Sequence, residues 1–264
     1  MISEEKTFDF SAYLVSITDT FKEPEPLIRQ GDKVLLSVGN IATIIGKPKA
    51  FKTFLTSSIV AAFLESDTLT MNGVGGHCLF VDTEQSRSHV NKVQDRIYRL
   101  SDWETTKVND KLFMLAVREL DSGNRMKVML EAIDKLKPNL IIIDGIRDLG
   151  KDFNDFKDSA EIVGQLMSIS TVYKCGIITV LHQNKADSNA RGHLGSELSN
   201  KSETVLSVVN EKGIATVSPV YSRNREIEPF SFYVCKETSL PVIRGAPKRE
   251  QKKEEVADLM AKAM

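Results

Sequence analysis

Residues 41–64 read IATIIGKPKAFKTFLTSSIVAAFL: an apolar run, a polar turn, then an amphipathic helical run. The turn holds Gly46, Lys47, Pro48, Lys49, Ala50, Phe51, Lys52 and Thr53, with Phe54 just beyond. This is the spacing G-x-x-x-x-G-K-S/T of a phosphate-binding loop, with one departure: Phe51 stands where the second glycine belongs. A strand–turn–helix of this kind aims the N–H groups of the turn and of the first helical turn at one point. The helix dipole adds positive potential there. In such a loop Lys52 reaches the β- and γ-phosphates and the Thr53 hydroxyl holds a magnesium ion. The competing reading is a chance Gly…Lys-Thr in a strand–helix turn, and the surrounding chain decides between the two.

Downstream, short continuous apolar runs alternate with helical patterns. Residues 77–82 (HCLFVD), 112–117, 140–144 (LIIID) and 176–181 (GIITVL) read as strands buried on both faces. Between them, residues 88–100, 124–136 and 159–173 carry helical spacing, with Ser86 a candidate N-cap for the first. Upstream, a turn at Gln30-Gly31-Asp32 and a run at 33–38 suggest a small antiparallel entry. After residue 203 the pattern changes: 204–209, 215–220 and 230–234 read as strands without long helices between them, which suggests an antiparallel extension. The expected fold is α/β, a doubly wound, mostly parallel sheet with an antiparallel C-terminal extension. Residues 1–26 form an arm and linker, 27–244 the domain, and 245–264 a charged tail.

Composition narrows the class. The chain has 264 residues, 41% hydrophobic and 27% charged, which suits one large α/β domain. Its 35 basic and 36 acidic residues give a net charge of -1, which argues against a general polyanion-binding surface but not against a local basic channel. Cys78, Cys175 and Cys235 match no metal spacing and read as thiols of a reducing cytoplasm. No apolar run reaches membrane-spanning length.

In a doubly wound sheet ligands sit at the carboxyl ends of the strands. The phosphate loop follows one such end, Glu84 a second, Asp144 a third, and His182-Gln183 a fourth. The set suits metal-assisted hydrolysis of a nucleoside triphosphate. Asp144 would hold the magnesium ion through water, Glu84 would orient or deprotonate the attacking water, and Gln183 would sense the γ-phosphate. Each has a plainer alternative. Asp144-Gly145 also reads as a strand-ending turn, Glu84 as a first-turn helix acid, and His182 as a packed strand-end histidine.

Taken in order, the segments IIGKPKAFKTF, LFVDTEQS, LIIIDGIRDL, ITVLHQNK, RGHLGSELSNKSETVLSV and SRNREIEPFSF resemble the RecA-like ATPase superfamily. The resemblance is nearest to the RepA/DnaB branch of hexameric replicative helicases and their plasmid- and transposon-encoded relatives. It implies ATP and magnesium as cofactors, Glu84 as the catalytic glutamate, Asp144 as the Walker B aspartate and Gln183 as the strand-end sensor. It also implies Arg223 and Arg225 as the basic pair that reaches a neighbouring subunit's nucleotide in a homo-oligomer, a hexamer favoured. Single-stranded DNA is the implied partner, met by the loops at 147–157 and 185–196, where Lys185, Arg191 and His193 are the candidate contacts. Neither loop reads as a base-stacking groove with interleaved aromatics. The glycine before the lysine normally takes a backbone conformation costly for other residues, so Phe51 implies a strained loop. Two functions follow: a motor or clamp on single-stranded DNA, or a non-motor assembly module with weakened nucleotide binding.

Overall fold

The structure is a computed structural model describing residues 9–64, 66–152, 154–183 and 192–245. Its strands are β1 (Pro26–Gln30), β2 (Lys33–Ser37), β3 (Ile41–Gly46), β4 (Asn72–Gly73), β5 (Cys78–Asp82), β6 (Leu112–Ala116), β7 (Leu140–Asp144), β8 (Gly176–His182), β9 (Thr204–Glu211), β10 (Ile214–Ser222), β11 (Phe230–Val234) and β12 (Pro241–Ile243). The helices are α1 (Lys52–Leu64), α2 (Arg87–Leu100), α3 (Ser122–Leu136), α4 (Phe156–Val172) and α5 (Gly192–Lys201). Nine strands form one sheet in the order β12-β11-β10-β9-β3-β8-β7-β5-β6. From β9 to β6 all neighbours are parallel; β10, β11 and β12 add on antiparallel. This is the RecA-like doubly wound architecture, with its antiparallel extension at the C-terminal side.

Alternation along the central strands builds two cores. Ile44, Phe80, Ile142 and Ile178 face α1 and α2, while Ile45, Val81, Ile143 and Ile177 face α3, α4 and α5. Each fully buried side chain of this size contributes roughly 1.5–3 kcal/mol, so runs such as LIIID, buried on both faces, hold the centre of the sheet. Local signals set the helix ends. Asp121 and Asp155 cap α3 and α4 by accepting from the N–H groups of Asn124 and Asp158, and Lys137 closes α3 in the left-handed region at φ 45°. Ser86 occupies the cap position of α2 but makes no side-chain cap bond; its Oγ lies 2.8 Å from His89 Nδ1.

α1 departs from the amphipathic pattern expected of it. Eleven of its thirteen residues are buried. A second, three-stranded sheet, β2-β1-β4, covers the face that would otherwise meet water. Beside β4, the N–H of Gly75 donates to the carbonyl of Phe63 at 2.8 Å. The phosphate-loop helix is therefore clamped between two sheets. Ahead of this entry sheet, a short 3-10 turn at Phe10–Tyr13 leads an arm whose Phe10, Tyr13, Leu14, Val15, Ile17 and Phe21 are all exposed. Among the described residues no helix is long and apolar enough to cross a membrane.

Candidate nucleotide site

Sheet register brings the site together. Gly46 lies opposite His182 on β8 and Val208 on β9, and Asp82 lies opposite Asp144 across β5 and β7. Two glycines allow the close approaches. A Cβ on Gly46 would sit 2.6 Å from the Val208 carbonyl oxygen. At Gly145, whose φ is 97°, a Cβ would meet Thr83 Oγ1 at 2.2 Å and Glu84 Cγ at 2.9 Å. The turn after β7 thus packs directly on the turn that carries Glu84.

The loop itself has two non-glycine residues in the left-handed region, Lys49 at φ 65° and Phe51 at φ 68°. A left-handed backbone costs an L-residue roughly 1–2 kcal/mol. Phe51 recovers part of this by packing edge-on against Phe54, ring centroids 5.4 Å apart, and against the core beneath α1. Phe51→Gly exchanges that contact for a relaxed loop. It is expected to leave ATP affinity equal or tighter when the nucleotide is titrated against both proteins; marked weakening would show that the ring itself supports the nucleotide.

Lys52 folds back over its own loop. Its Nζ donates to the carbonyls of Gly46 and Lys47 at 2.9 and 3.0 Å and lies 3.2 Å from His182 Nδ1. Burial lowers its pKa, with Asp144 and Glu84 opposing the shift. The Thr53 hydroxyl donates to Asp144 Oδ2 at 2.8 Å. Burial, and then the neighbouring Asp82, push the Asp144 carboxyl up to about 7. Asp82 is fully buried and is also raised, by burial first; it accepts from the N–H groups of Glu84 and Gln85 and from Gln85 Nε2. Asp82 therefore fixes the turn that presents Glu84. The Glu84 carboxylate is 45% exposed and lies 3.5 Å from His182 Nε2, and this contact lowers its pKa more than any other influence.

Lys52, Thr53, Glu84, Asp144 and His182 line one cleft of about 370 Å³, together with His89, Lys92 and Arg96 of α2. Arg96 stacks over the Phe54 ring at 3.8 Å and donates to Ser57 Oγ at 3.3 Å. Burial lowers it to about 10. A second cleft of about 540 Å³ opens on the other side of the loop, between Lys47, Lys49, Gln183, Asn210 and Lys212. Asn210 holds the loop from that side, its Nδ2 donating to the Lys49 carbonyl at 2.9 Å. The Gln183 side chain is buried, and its backbone N–H donates to the Gly46 carbonyl at 3.2 Å.

The donor set suits magnesium. Thr53 and Asp144 offer hard oxygens at a helix N-terminus, and a cation bound there would offset the burial and the Asp82 repulsion that raise the Asp144 carboxyl. Magnesium takes one or two protein oxygens and keeps water and phosphate as its other ligands. Among the described residues no group of three or more His, Cys, Asp or Glu side chains is placed to hold a metal ion.

The remaining candidates lie elsewhere. The Arg223 N–H donates to the Glu203 carbonyl, at the start of β9, and its guanidinium reaches the Lys201 carbonyl at 3.2 Å. Arg225 is exposed and pairs with Asp32 at 3.3 Å. Five residues of β9, about 16 Å of strand, separate this end of the sheet from the level of Gly46. His193 is exposed at the start of α5, its ring 6.1 Å from that of Phe156. Phe156 begins α4 and is 61% exposed, so one aromatic of the loop after β7 stands beside His193. Lys185 and Arg191 lie outside the described residues. Sequence reasoning passed over Asp82, although it ends an apolar strand as Asp144 does. Arg96, Asn210 and Lys212 carried no local signal at all.

An α/β sheet with a phosphate-loop turn, a hydroxyl–carboxylate pair behind it and a glutamate across the cleft defines a P-loop NTPase domain. The chain matches the AAA domain over residues 4–188, well over half its length, and belongs to that family. ATP binding and hydrolysis are the general capability of that architecture. No curated protein matches the chain. The matched span ends before α5, so the antiparallel extension with Arg223 and Arg225 lies beyond it.

Proposed function

We propose that this protein is an ATP hydrolase of the RepA/DnaB helicase type, a motor or clamp acting on single-stranded DNA in the replication or mobilisation of a replicon or mobile element. One observation carries the reading: Lys52 and Thr53 after β3, Glu84 after β5 and Asp144 at the end of β7 line a single cleft. In this account the turn N–H groups and Lys52 hold the triphosphate. Thr53 and Asp144 would hold the magnesium ion, which when bound would neutralise charge developing on the phosphates. Glu84, ionised and held by the Asp82-braced turn, takes the proton of the attacking water. Gln183, at the root of the following loop, reads the γ-phosphate.

Assembly into a homo-oligomer, a hexamer favoured, completes the reading. Arg223 and Arg225 are at the wrong end of the sheet for their own phosphate loop, and a head-to-tail neighbour would bring them to it. The apolar arm around Phe10–Tyr13 offers further surface for such contact. DNA would meet Arg147, Lys151, Lys185, Arg191 and His193, with Phe156 available for stacking. The protein would work in the cytoplasm.

A second reading, a non-motor assembly module, is favoured by the strained φ of Phe51 and by a lysine bonded to its own loop. ATP turnover measured with and without single-stranded DNA separates the two. The motor reading expects turnover that rises several-fold with DNA; turnover absent in both conditions supports the module.

A further inference from the structure

His182 links two groups that the proposed chemistry treats separately. Its backbone is fixed as the last residue of β8, opposite Gly46. Its ring lies 3.2 Å from Lys52 Nζ through Nδ1 and 3.5 Å from Glu84 Oε1 through Nε2. A lysine ammonium only donates, so Nδ1 accepts and the imidazole carries its proton on Nε2. That proton faces the Glu84 carboxylate. The three donors of Lys52 are matched by three acceptors: the carbonyls of Gly46 and Lys47, and His182 Nδ1. To reach a triphosphate, Lys52 must leave acceptors it now holds, the imidazole among them.

We propose that His182 is a positioning residue that couples phosphate capture by Lys52 to the aim of Glu84. Without nucleotide, Lys52 pins the ring through Nδ1, and the ring draws the Glu84 carboxylate toward the β8 side of the cleft. When Lys52 turns to the phosphates, Nδ1 loses its donor and the ring moves with Glu84 alone. The carboxylate is then free to meet the water in line with the γ-phosphate. No proton changes owner in this step; one hydrogen bond is exchanged for another. The inference rests on the ATP hydrolase reading and adds a device that keeps the base off its water until the site is filled.

A plain packing histidine would make none of the following results. His182→Ala is expected to lower kcat on the order of 10- to 100-fold, the scale of a misaimed group, while KM for ATP stays within about threefold. His182→Gln, whose amide can accept from Lys52 and donate to Glu84, should restore most of the loss. In a Glu84→Gln background, His182→Ala should cost nothing further, because the two act as one unit. A readout independent of activity comes from the ¹⁵N shifts of the His182 ring. The nucleotide-free protein should show a bare Nδ1 and a protonated Nε2. Lys52→Ala should shift Nδ1 without any nucleotide, and a non-hydrolysable Mg-ATP analogue should produce a similar shift in the unmutated protein. Unchanged ring shifts in Lys52→Ala overturn the link. Normal kcat in His182→Ala, with the unmutated protein active, overturns the coupling alone. Absence of ATP binding and turnover in the unmutated protein overturns the hydrolase reading, and the coupling with it, even if the ring shifts confirm the hydrogen bond.

Discussion

Glu84→Gln is expected to bind ATP about as well as the unmutated protein and to hydrolyse it at least ~100-fold more slowly, the usual scale for removing a general base. The geometry separates the two effects. Glu84 stands on a turn braced by Asp82, which accepts two backbone N–H bonds and one from the Gln85 side chain. None of these uses the Glu84 carboxylate, so the amide leaves the turn in place. The phosphate loop, Lys52 and Thr53 are likewise untouched. What is lost is an anion able to take a proton, one that the His182 contact keeps below its ordinary pKa. Binding of a labelled analogue and steady-state turnover, measured on the same preparation, check the split. Turnover within a factor of two would leave Glu84 as a helix-start acid only.

Arg225→Ala is expected to reduce turnover by ~10³-fold or more, the scale of a cation supplied to phosphoryl transfer from a neighbouring subunit. Within its own subunit the residue does little. Its partner Asp32 is 73% exposed and Arg225 itself 83%, and a pair so exposed contributes at most about 1 kcal/mol. Its near neighbour Arg223 is anchored to the Glu203 carbonyl just before β9, at the end of the sheet away from Gly46. A large loss of activity from so exposed a side chain therefore requires a site shared between copies. Mixing supplies the check. Arg225→Ala and Glu84→Gln proteins, each nearly inactive, should together recover part of the turnover, because some interfaces pair an intact Glu84 with an intact Arg225. Normal hydrolysis by Arg225→Ala, or full activity in a strictly monomeric protein, contradicts a shared site.

The sequence showed the central sheet because its strands are buried on both faces, and such strands are continuous apolar runs. LIIID and GIITVL need no partner to be read. It also foretold the conformation of Phe51, since the position in the motif demands a left-handed residue whatever side chain stands there, and φ is 68°. What depends on distant partners was not legible. α1 looked amphipathic because the strands that cover its outer face lie on both sides of it in sequence, at Pro26–Gln30 and Asn72–Gly73. β12 is three residues long and pairs only at the edge of the sheet. Strand-end logic brought Lys52, Thr53, Glu84, Asp144 and Gln183 to one end of the sheet. It could not show that Asp82 braces Glu84, nor that His182 stands between Glu84 and Lys52. Those are facts of side-chain direction and register. The meeting of Phe156 with His193 is of the same kind, since it joins residues 37 apart in the chain across two loops.

In the proposed function Mg-ATP is held at the turn between β3 and α1. The most direct test is equilibrium binding of a labelled ATP analogue to the unmutated protein and to Lys52→Ala. Lys52 is buried, and its stem leads into the cleft shared with Thr53 and Asp144, so removing the ammonium takes away the one loop cation held inside. A nucleotide held there binds the unmutated protein saturably and with magnesium dependence, and binding to Lys52→Ala is expected to be undetectable. Equal affinity in the two proteins would contradict this placement.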